Sequence, residues 1–337
     1  PSASGNPAGP RITPANIHER ASMRLLAAAT LTLLCIAAHA ADAPTPRVLA
    51  PGVLSTGDDE WGFTMSPQGD ALWFNKADRG YRVQVIMEST KGGDGRWQAP
   101  RVAEFSGQYR DIDPAMSPDG HYLVFASNRP VQSGGARRTD FDLWRVDLLA
   151  NGGWSEPRHL GDAVNSSGSE TNSSIAADGS LYFAVSGRDG VLGQRDLMRA
   201  RATPGGYAIA EPLPAPINTD ADESNHWIAP DQGYLLFLSN RPGGIGENDL
   251  YISVRDGDGW STPRNLGAPF NRPGASGVFT PFVDATGRWL YFAERRSVME
   301  PLPERPLSTS ELDAYLRNAG NGQGDLYVMP WSAEAYR

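Results

Sequence analysis

Polar residues that recur at equivalent positions of the sequence are the best candidates for chemistry in this chain. Each lies just before or inside a short stretch of alternating residues that predicts a strand. The first set is Glu60, Asp111, Glu170 and Glu223, with Val278 at the fifth position. The second set, two residues further along, is Gly62, Asp113, Asn172, Asn225 and Thr280. Because side chains two residues apart share one face of a strand, we expect two stacked polar rings with an acidic opening.

Carboxylates gathered in this way are compatible with several kinds of chemistry. They can bind a divalent cation such as calcium through oxygen ligands, or they can recognise a cationic or polyhydroxylated ligand. If their pKa values differ, a pair drawn from Glu60, Asp111, Asp113, Glu170 and Glu223 can act as acid and base on a glycosidic bond. An acid that occurs once per repeat can also cap or cross-link the backbone turns of neighbouring repeats, and the repetition itself favours this bracing role.

Arginine and histidine side chains add to the predicted ligand-binding set. Arg129 and Arg241 occur in the shared sequence SNRP and have the geometry to form bidentate pairs with a carboxylate of an adjacent repeat. Bracing is again favoured over ligand recognition for both arginines. His226 departs from the repeat, since the second copy has Pro114 there, and it marks either the ligand side of the ring or a packed position between repeats.

Other catalytic signatures are missing from the sequence. It contains no G-x-S-x-G stretch and no H-E-x-x-H stretch, which argues against a serine hydrolase and a histidine-based metal site. The one cysteine, Cys35, lies in a segment that we expect to be removed. No catalytic residue is therefore assigned, and no cofactor is expected beyond the possible divalent cation.

An internal repeat must position these residues. A strand, a turn rich in Pro, Asp and Gly, and a second strand form a hairpin that occurs five times. The five copies are TMSPQGDALWF from Thr64, AMSPDGHYLVF from Ala115, SIAADGSLYF from Ser174, WIAPDQGYLLF from Trp227 and FVDATGRWLYF from Phe282. A DLY-like strand and then a segment such as WSTPRNLG follow most copies in the same order, so each repeat supplies four short strands. This content is typical of one blade of a β-propeller.

The two ends of the repeat array complete one another. The fifth repeat stops after DLYVMPWS, without its last strand, whereas PRVLAPGV near the N-terminus matches the last strand of other repeats. We therefore predict an all-β fold with a single propeller of about five four-stranded blades. An N-terminal strand completes the last blade, and this closure removes the exposed edges of an open array.

These motifs resemble the TolB-like branch of WD-type (WD40-like) β-propeller repeats. The resemblance rests on SPDG before a strand, on SNRPGG from Ser239, on DLY and on WSTPRNLG, and it covers nearly all of the chain after residue 40. It implies an exported bacterial protein, commonly a binding or scaffolding module of the cell envelope. The fold alone does not specify a function.

The N-terminal region predicts export. Residues 1–22 form an upstream segment, and residues 23–40 have the basic start, apolar run and A-x-A-like end of a signal peptide. Residues 41–337 would then be the mature propeller, periplasmic or secreted, with no stable membrane span. A formal net charge of −9 argues against nucleic acid and anionic membranes as partners.

One insert in the fifth repeat, residues 299–322, predicts a short helix. Ser308 and Glu311 have the spacing of a capping box, and Gly320 stands where a helix would stop.

Across the whole sequence, we expect a non-catalytic propeller that binds a cell-envelope protein, peptide or glycan. The alternative is a glycoside hydrolase or polysaccharide lyase that uses carboxylates of the central channel.

Overall fold

Five antiparallel sheets arranged around a central axis make up the part of the chain that the structure describes. The structure is a computed structural model that describes residues 1–3, 5, 45–273, 277–299 and 301–336. The predicted signal peptide, including Cys35, lies outside these residues. Residues Pro46–Arg337 form one compact unit, and the all-β, five-bladed prediction is confirmed.

The first two blades have the simplest strand order, in which consecutive strands pair along the chain. Blade 1 consists of β2 (Asp59–Met65), β3 (Ala71–Ala77), β4 (Gln84–Thr90) and β5 (Arg101–Val102). Blade 2 consists of β6 (Asp111–Met116), β7 (Tyr122–Ser127), β8 (Asp142–Asp147) and β9 (Arg158–His159). Each blade is therefore a four-stranded meander, as the repeat predicts.

Blades 3 and 4 add small elements to the same plan. Blade 3 consists of β10 (Ser169–Ile175), β11 (Leu181–Ser186), β12 (Asp196–Ala200) and β15 (Glu211–Pro212), with a hairpin of β13 (Ala202–Thr203) and β14 (Gly206–Tyr207). Blade 4 consists of β16 (Glu223–Ile228), β17 (Tyr234–Ser239), β18 (Asp249–Asp256), β19 (Gly259–Trp260) and β20 (Arg264–Asn265). The additions lie after the third strand, far from the central axis.

Blade 5 closes the ring in the predicted way. It consists of β21 (Val278–Val283), β22 (Trp289–Ser297), β23 (Asn321–Pro330) and the N-terminal strand β1 (Arg47–Val48). Strand β1 is antiparallel to β23, with Arg47 opposite Val328. The first strands β2, β6, β10, β16 and β21 contact one another in a complete circle, so they surround the channel.

The second strand of every blade carries a pair of fully buried side chains, because the neighbouring blades pack against it. Its repeated leucine and phenylalanine are fully buried in each of the five blades. These residues are Leu72, Leu123, Leu181, Leu235 and Leu290, with Phe74, Phe125, Phe183, Phe237 and Phe292. Burial of one such side chain stabilises the fold by about 1.5–3 kcal/mol, so the repeat motif is mainly a packing motif.

The predicted helix in the fifth-repeat insert is confirmed. Helix α1 (Thr309–Arg317) begins after Ser308, whose side chain accepts a hydrogen bond from the Glu311 N–H. The Glu311 carboxylate in turn accepts from the Ser308 N–H at 2.8 Å, which completes the capping box. Gly320 follows with a positive φ of 85°, and a 3-10 helix (Ala333–Tyr336) ends the described chain. No helix of the described residues is long and apolar enough to span a membrane.

Candidate functional site

A bulge in the first strand of each blade shapes the wall of the channel. Pairing with the second strand loses register once in every blade, for example between Ile112 and Ala115, which pair with Ala126 and Val124. At each bulge one residue has a left-handed backbone, with φ between 44° and 64°. These five residues, here called the ring, are Gly62, Asp113, Asn172, Asn225 and Thr280.

The residue types of the ring follow from this backbone. Glycine has no Cβ to clash, and Asp and Asn are the side chains that best tolerate a left-handed conformation. Thr280 is the exception, because a β-branched residue is strained there. Its hydroxyl accepts a hydrogen bond from the Gly62 N–H at 3.1 Å, so the position is held by the neighbouring blade.

Hydrogen bonds pass from blade to blade around part of the ring. The Asn172 backbone N–H and its Nδ2 donate to Asp113 Oδ2 at 3.1 and 2.7 Å. Gly62 has no side chain that could accept a hydrogen bond from the Asp113 N–H. Asn75 of β3 supplies this acceptor instead. The Asn75 Oδ1 accepts from the Asp113 N–H at 2.8 Å, and its Nδ2 donates to the Asp111 carbonyl at 3.0 Å. A Cβ on Gly62 would lie 2.1 Å from Asn75 Oδ1, so the glycine makes room for this substitute.

We expect Asn75→Ala to lower the free energy of unfolding by about 2–4 kcal/mol, because it leaves a buried N–H and a buried carbonyl without partners. Chemical denaturation measures the change. The matched control is Asn151→Ala, which removes an exposed hydrogen bond to Gly153 that water can replace, and which we expect to change stability by less than about 0.5 kcal/mol. Equal effects for the two variants would contradict the bridging role of Asn75.

The ring divides the channel into two cavities. The cavity called here the cup has a volume of about 290 Å³ and is lined by the ends of the first strands and the turns that follow them. The cavity called here the mouth has a volume of about 430 Å³ and is lined by the starts of the first strands and the loops after the second strands. Asp113, Asn172 and Asn225 line both cavities, so they form the partition between them.

The first predicted set of acids does not line either cavity. Glu60, Asp111, Glu170 and Glu223 are completely buried, and the expected acidic opening is therefore wrong. The physical reason is the left-handed ring residue, which breaks the alternation of the strand, so that residues such as Asp111 and Asp113 do not share a face. Burial raises the pKa of Glu60 to about 7, against the opposing effects of Thr56 and Lys76, and it also raises the pKa of Glu170.

These buried acids join the second strand of their blade to the segment that leads in from the preceding blade. Asp111 accepts from Ser127 Oγ at 2.6 Å and from Ser106 Oγ at 2.9 Å. Glu223 accepts from the Thr219 N–H at 2.9 Å and from Ser239 Oγ at 2.9 Å. The geometry supports the bracing interpretation and gives a channel ligand no access to the four carboxylates.

Arg129 and Arg241 belong to the same bracing contacts and also line neither cavity. Arg129 donates to Asp111 Oδ1 at 2.8 Å and to the Phe105 carbonyl at 3.0 Å. Arg241 donates to Glu223 Oε1 at 3.1 Å and to the Ile217 carbonyl at 2.7 Å. Their placement in the predicted ligand-binding set is corrected accordingly.

In blade 5 the bracing carboxylate comes from the second strand instead of the first. Val278 occupies the acidic position, and Glu294 lies directly opposite it on β22. Glu294 is buried and accepts from Arg296 Nε at 2.6 Å, and Arg272 binds its other oxygen. Sequence alignment of the repeats missed this residue because the carboxylate has moved to the adjacent strand.

The other four predicted site residues, Asp113, Asn172, Asn225 and His226, do lie on the channel wall. Burial raises the pKa of Asp113 to about 6, although the Asn172 N–H and the charge of Arg195 favour its ionised form. Burial lowers the pKa of His226 to about 4, so this imidazole is neutral at physiological pH. Binding by these residues stays a prediction.

Among the described residues, no group of three His, Cys, Asp or Glu side chains is placed to hold a metal ion.

The mouth contains functional groups that the repeat alignment missed. Arg195 lines it and binds Asp222 with Nε at 2.8 Å. Arg295 lines it, donates to Asp59 Oδ2 at 3.0 Å and lies over the Phe279 ring. Trp61 and Tyr81 add aromatic faces. Arg195 directly precedes β12, and Arg295 lies near the end of β22. Other repeats have different residues at both positions, and this variation was the available signal.

Exposed apolar side chains lie on the loops that follow the second strands. Every one of the five blades contributes, because each loop after a second strand carries at least one. This set, here called the rim, is Val83, Val131, Leu192, Ile245, Val298 and Leu302. Leu192 is 61% exposed and Leu302 is 75% exposed. Since second strands all end at the face where first strands begin, the rim and the mouth share one face of the propeller.

Solved structures with a similar fold are consistent with this architecture. No family model and no curated protein matches the sequence. A glycoside hydrolase aligns with a TM-score of 0.54 at 8% identity, over 86% of this chain and 91% of the other. A protein assigned as TolB from Agrobacterium tumefaciens aligns with a TM-score of 0.47 at 16% identity, over 82% of this chain and 91% of the other. TolB from Acinetobacter baumannii aligns with a TM-score of 0.47 at 13% identity, and the match spans 55% of its length. TolB proteins are thus among the structures similar to this chain, and likeness at these identities concerns the fold alone.

Proposed function

We propose that this chain is a periplasmic or secreted, non-catalytic β-propeller that binds an extended peptide segment of a cell-envelope protein at the rim and the mouth. The observation that carries the proposal is the rim, in which apolar side chains of all five blades are exposed on one face. Export rests on the signal-peptide pattern of residues 23–40, and a cell-envelope partner rests on the family resemblance of the repeats.

The chemistry of this face suits a protein partner. The rim places at least one exposed apolar side chain on each of the five loops at the face of the mouth, and apolar surface exposed on one face of a soluble protein is typical of interaction sites. Aromatic residues and arginine are enriched in protein interfaces, and the mouth offers Trp61, Tyr81, Phe279, Arg195 and Arg295. A glycan would use the aromatic faces and the polar groups of the mouth but not the aliphatic rim, so a peptide fits the whole surface better.

The hydrolase or lyase alternative has weaker support from the site. Glycoside hydrolysis of the usual kind needs two carboxyl groups that flank the substrate. Asp113 is the sole carboxylate among the described residues that line the cup and the mouth. The other acids suggested for this chemistry are buried and engaged, so a substrate in the channel would meet one carboxylate.

We expect selection from a displayed peptide library to yield ligands that bind the propeller but not its rim variant. The variant is Leu192→Asp combined with Ile245→Asp, which places two charges on the rim and should weaken binding by about tenfold or more, since each lost apolar contact is worth about 1.5–3 kcal/mol when fully buried. Titration calorimetry with a selected peptide measures the affinities.

The matched control is Leu148→Asp, on the loop after the third strand of blade 2 and therefore on the opposite face. Leu148 is also an exposed leucine, so the control adds a charge without touching the rim. Selected peptides that bind all three proteins equally, or that lose affinity through Leu148→Asp instead, would contradict the proposal. An array of glycans tested in parallel identifies a carbohydrate ligand if the peptides fail.

A further inference from the structure

Two arginines at the face of the mouth form no ion pair with a carboxylate of the described residues. Arg110 directly precedes β6, and Arg137 lies on the loop between β7 and β8. The nearby Arg129 and Arg138 do bind carboxylates, Arg129 that of Asp111 at 2.8 Å. Arg110 and Arg137 are therefore not part of the ion pairs that brace blade 2.

The half-buried Arg110 side chain is held in place by groups other than carboxylates. Its guanidinium lies 5.0 Å from the centre of the Phe141 ring and donates to the Thr139 carbonyl at 3.5 Å. Its backbone N–H donates to Asn128 Oδ1 at 2.9 Å. An arginine side chain has five N–H donors, and the guanidinium makes no other hydrogen bond within the described residues, so most of its donors can bind a ligand.

Arg137 is held in the same way by the segment that leads to Arg110. Its guanidinium lies 5.6 Å from the centre of the Tyr109 ring and donates to the Gln108 carbonyl at 2.9 Å. The side chain is exposed to solvent. Because each arginine contacts the segment that carries the other, the two guanidinium groups lie at one junction between these segments.

The chemistry of this junction suits a carboxylate ligand. A guanidinium binds a carboxylate through two parallel N–H donors, and stacking on an aromatic ring restricts the side chain in advance, which lowers the entropy cost of binding. The chain carries a formal net charge of −9, so cations that are not neutralised are needed to attract an anionic ligand. Val131 of the rim lies on the same loop as Arg137 and is 48% exposed, so an apolar contact is available on the loop that carries the charge.

We propose that the peptide segment bound at the rim and the mouth is acidic, and that Arg110 and Arg137 bind the carboxylates of its Asp or Glu residues. Val131 contacts an apolar side chain of the same segment. This inference rests on the proposed function and specifies the chemistry of the partner, which the rim alone does not. The two arginines add selectivity for charge to a surface whose other contacts are mainly apolar and aromatic.

Titration calorimetry with peptides selected for binding to the propeller tests the inference. We expect the selected peptides to contain Asp or Glu, and we expect Arg110→Gln combined with Arg137→Gln to weaken their binding by about fivefold or more. A high salt concentration should weaken binding to the parent protein more than binding to this variant, because salt screens exposed charges. The matched control is Arg158→Gln combined with Arg201→Gln, which removes two exposed arginines away from the mouth and should leave the affinity unchanged.

A second change, made in the peptide, separates direct binding from an indirect effect. If its acidic residues are replaced by Asn or Gln, the parent protein and the Arg110→Gln, Arg137→Gln variant should bind it equally, since the two changes remove the same contacts. Melting curves show whether every variant is folded. Full affinity of the arginine variant for the acidic peptide, the same loss with the neutral peptide, or selected peptides without acidic residues would each overturn the inference.

The rim variant distinguishes a failure of this inference from a failure of the proposed function. Peptides that lose affinity through Leu192→Asp combined with Ile245→Asp, but not through the two arginine substitutions, would overturn the acidic preference and leave the partner site intact. Peptides whose binding depends on neither set of residues, or a selection that yields no peptide, would contradict both.

Discussion

Arg129→Met is expected to lower the free energy of unfolding by about 3–5 kcal/mol, because it leaves the buried charge of Asp111 without its partner. The guanidinium donates to Asp111 Oδ1 at 2.8 Å and also to Ser127 Oγ at 2.9 Å. It lies over the rings of Phe125 and Trp144 as well. Methionine preserves the apolar stem but supplies neither the charge nor the donors. The loss would be a large part of the roughly 5–15 kcal/mol that stabilises an average domain.

Chemical denaturation at neutral pH measures this change against an exposed ion pair of the same chemistry. Arg201 binds Glu211 at 3.3 Å with both side chains more than 60% exposed. We expect Arg201→Met to cost no more than about 1 kcal/mol, as is usual for surface pairs. If Arg129→Met also lowers the free energy of unfolding by less than about 1 kcal/mol, the buried acids do not brace the blades.

Asp113→Asn is expected to make the protein more stable at pH 8 by about 3 kcal/mol and to leave its stability at pH 4 nearly unchanged. The pKa of Asp113 rises from 3.8 to about 6 through burial, so the folded protein holds this proton more tightly than the unfolded chain. The stabilisation is therefore complete below about pH 4 and is lost as the pH rises through 6. Asparagine has no proton to lose over this range.

Unfolding free energies of both proteins between pH 4 and 8 test this expectation. Glu60 and Asp325, whose pKa values burial raises to about 7 and about 6, also titrate but do so in both proteins, so the difference isolates Asp113. The control Asp258→Asn makes the same exchange at an exposed carboxylate in a turn, and it shows which part of the effect any exchange of Asp for Asn would produce. If the difference in unfolding free energy between Asp113→Asn and the parent protein does not change with pH, burial of the Asp113 carboxylate costs nothing and the expectation is contradicted. If the expected gain in stability at pH 8 is found, the chain retains Asp113 for a purpose other than folding.

Most of the architecture could be predicted from the repeat. The leucine and phenylalanine of each second strand recur because both are fully buried in every blade, and burial leaves little freedom in residue type. The closing strand was recognisable since PRVLAPGV carries the same pattern as the outer strands of other blades. The capping box at Ser308 and Glu311 is a local signal that does not depend on the surroundings.

The site was predicted only in part, because the bulge was not recognised. Strict alternation places Asp111 and Asp113 on one face, but one left-handed residue reverses the direction of the side chains before it. The residue types Gly62, Asp113 and Asn172 at one repeat position are the types that tolerate this backbone, and they were the available sign of a bulge.

Contacts between separate loops could not be predicted in the same way. Glu294 takes over the bracing role in blade 5 from an adjacent strand, and the rim consists of single apolar residues on loops that share no motif. Loops are free to vary as long as they do not disturb the blades, so nothing in the repeat indicates which of their side chains converge.

Hydrogen–deuterium exchange with and without a selected peptide tests most directly the claim that the rim and the mouth form the partner site. Binding slows exchange where it restricts local opening. We predict protection in the loops 78–83, 187–195 and 240–248 and at the starts of the first strands. Protection confined to the turns on the opposite face, or to the outer strands of the blades, would contradict the account.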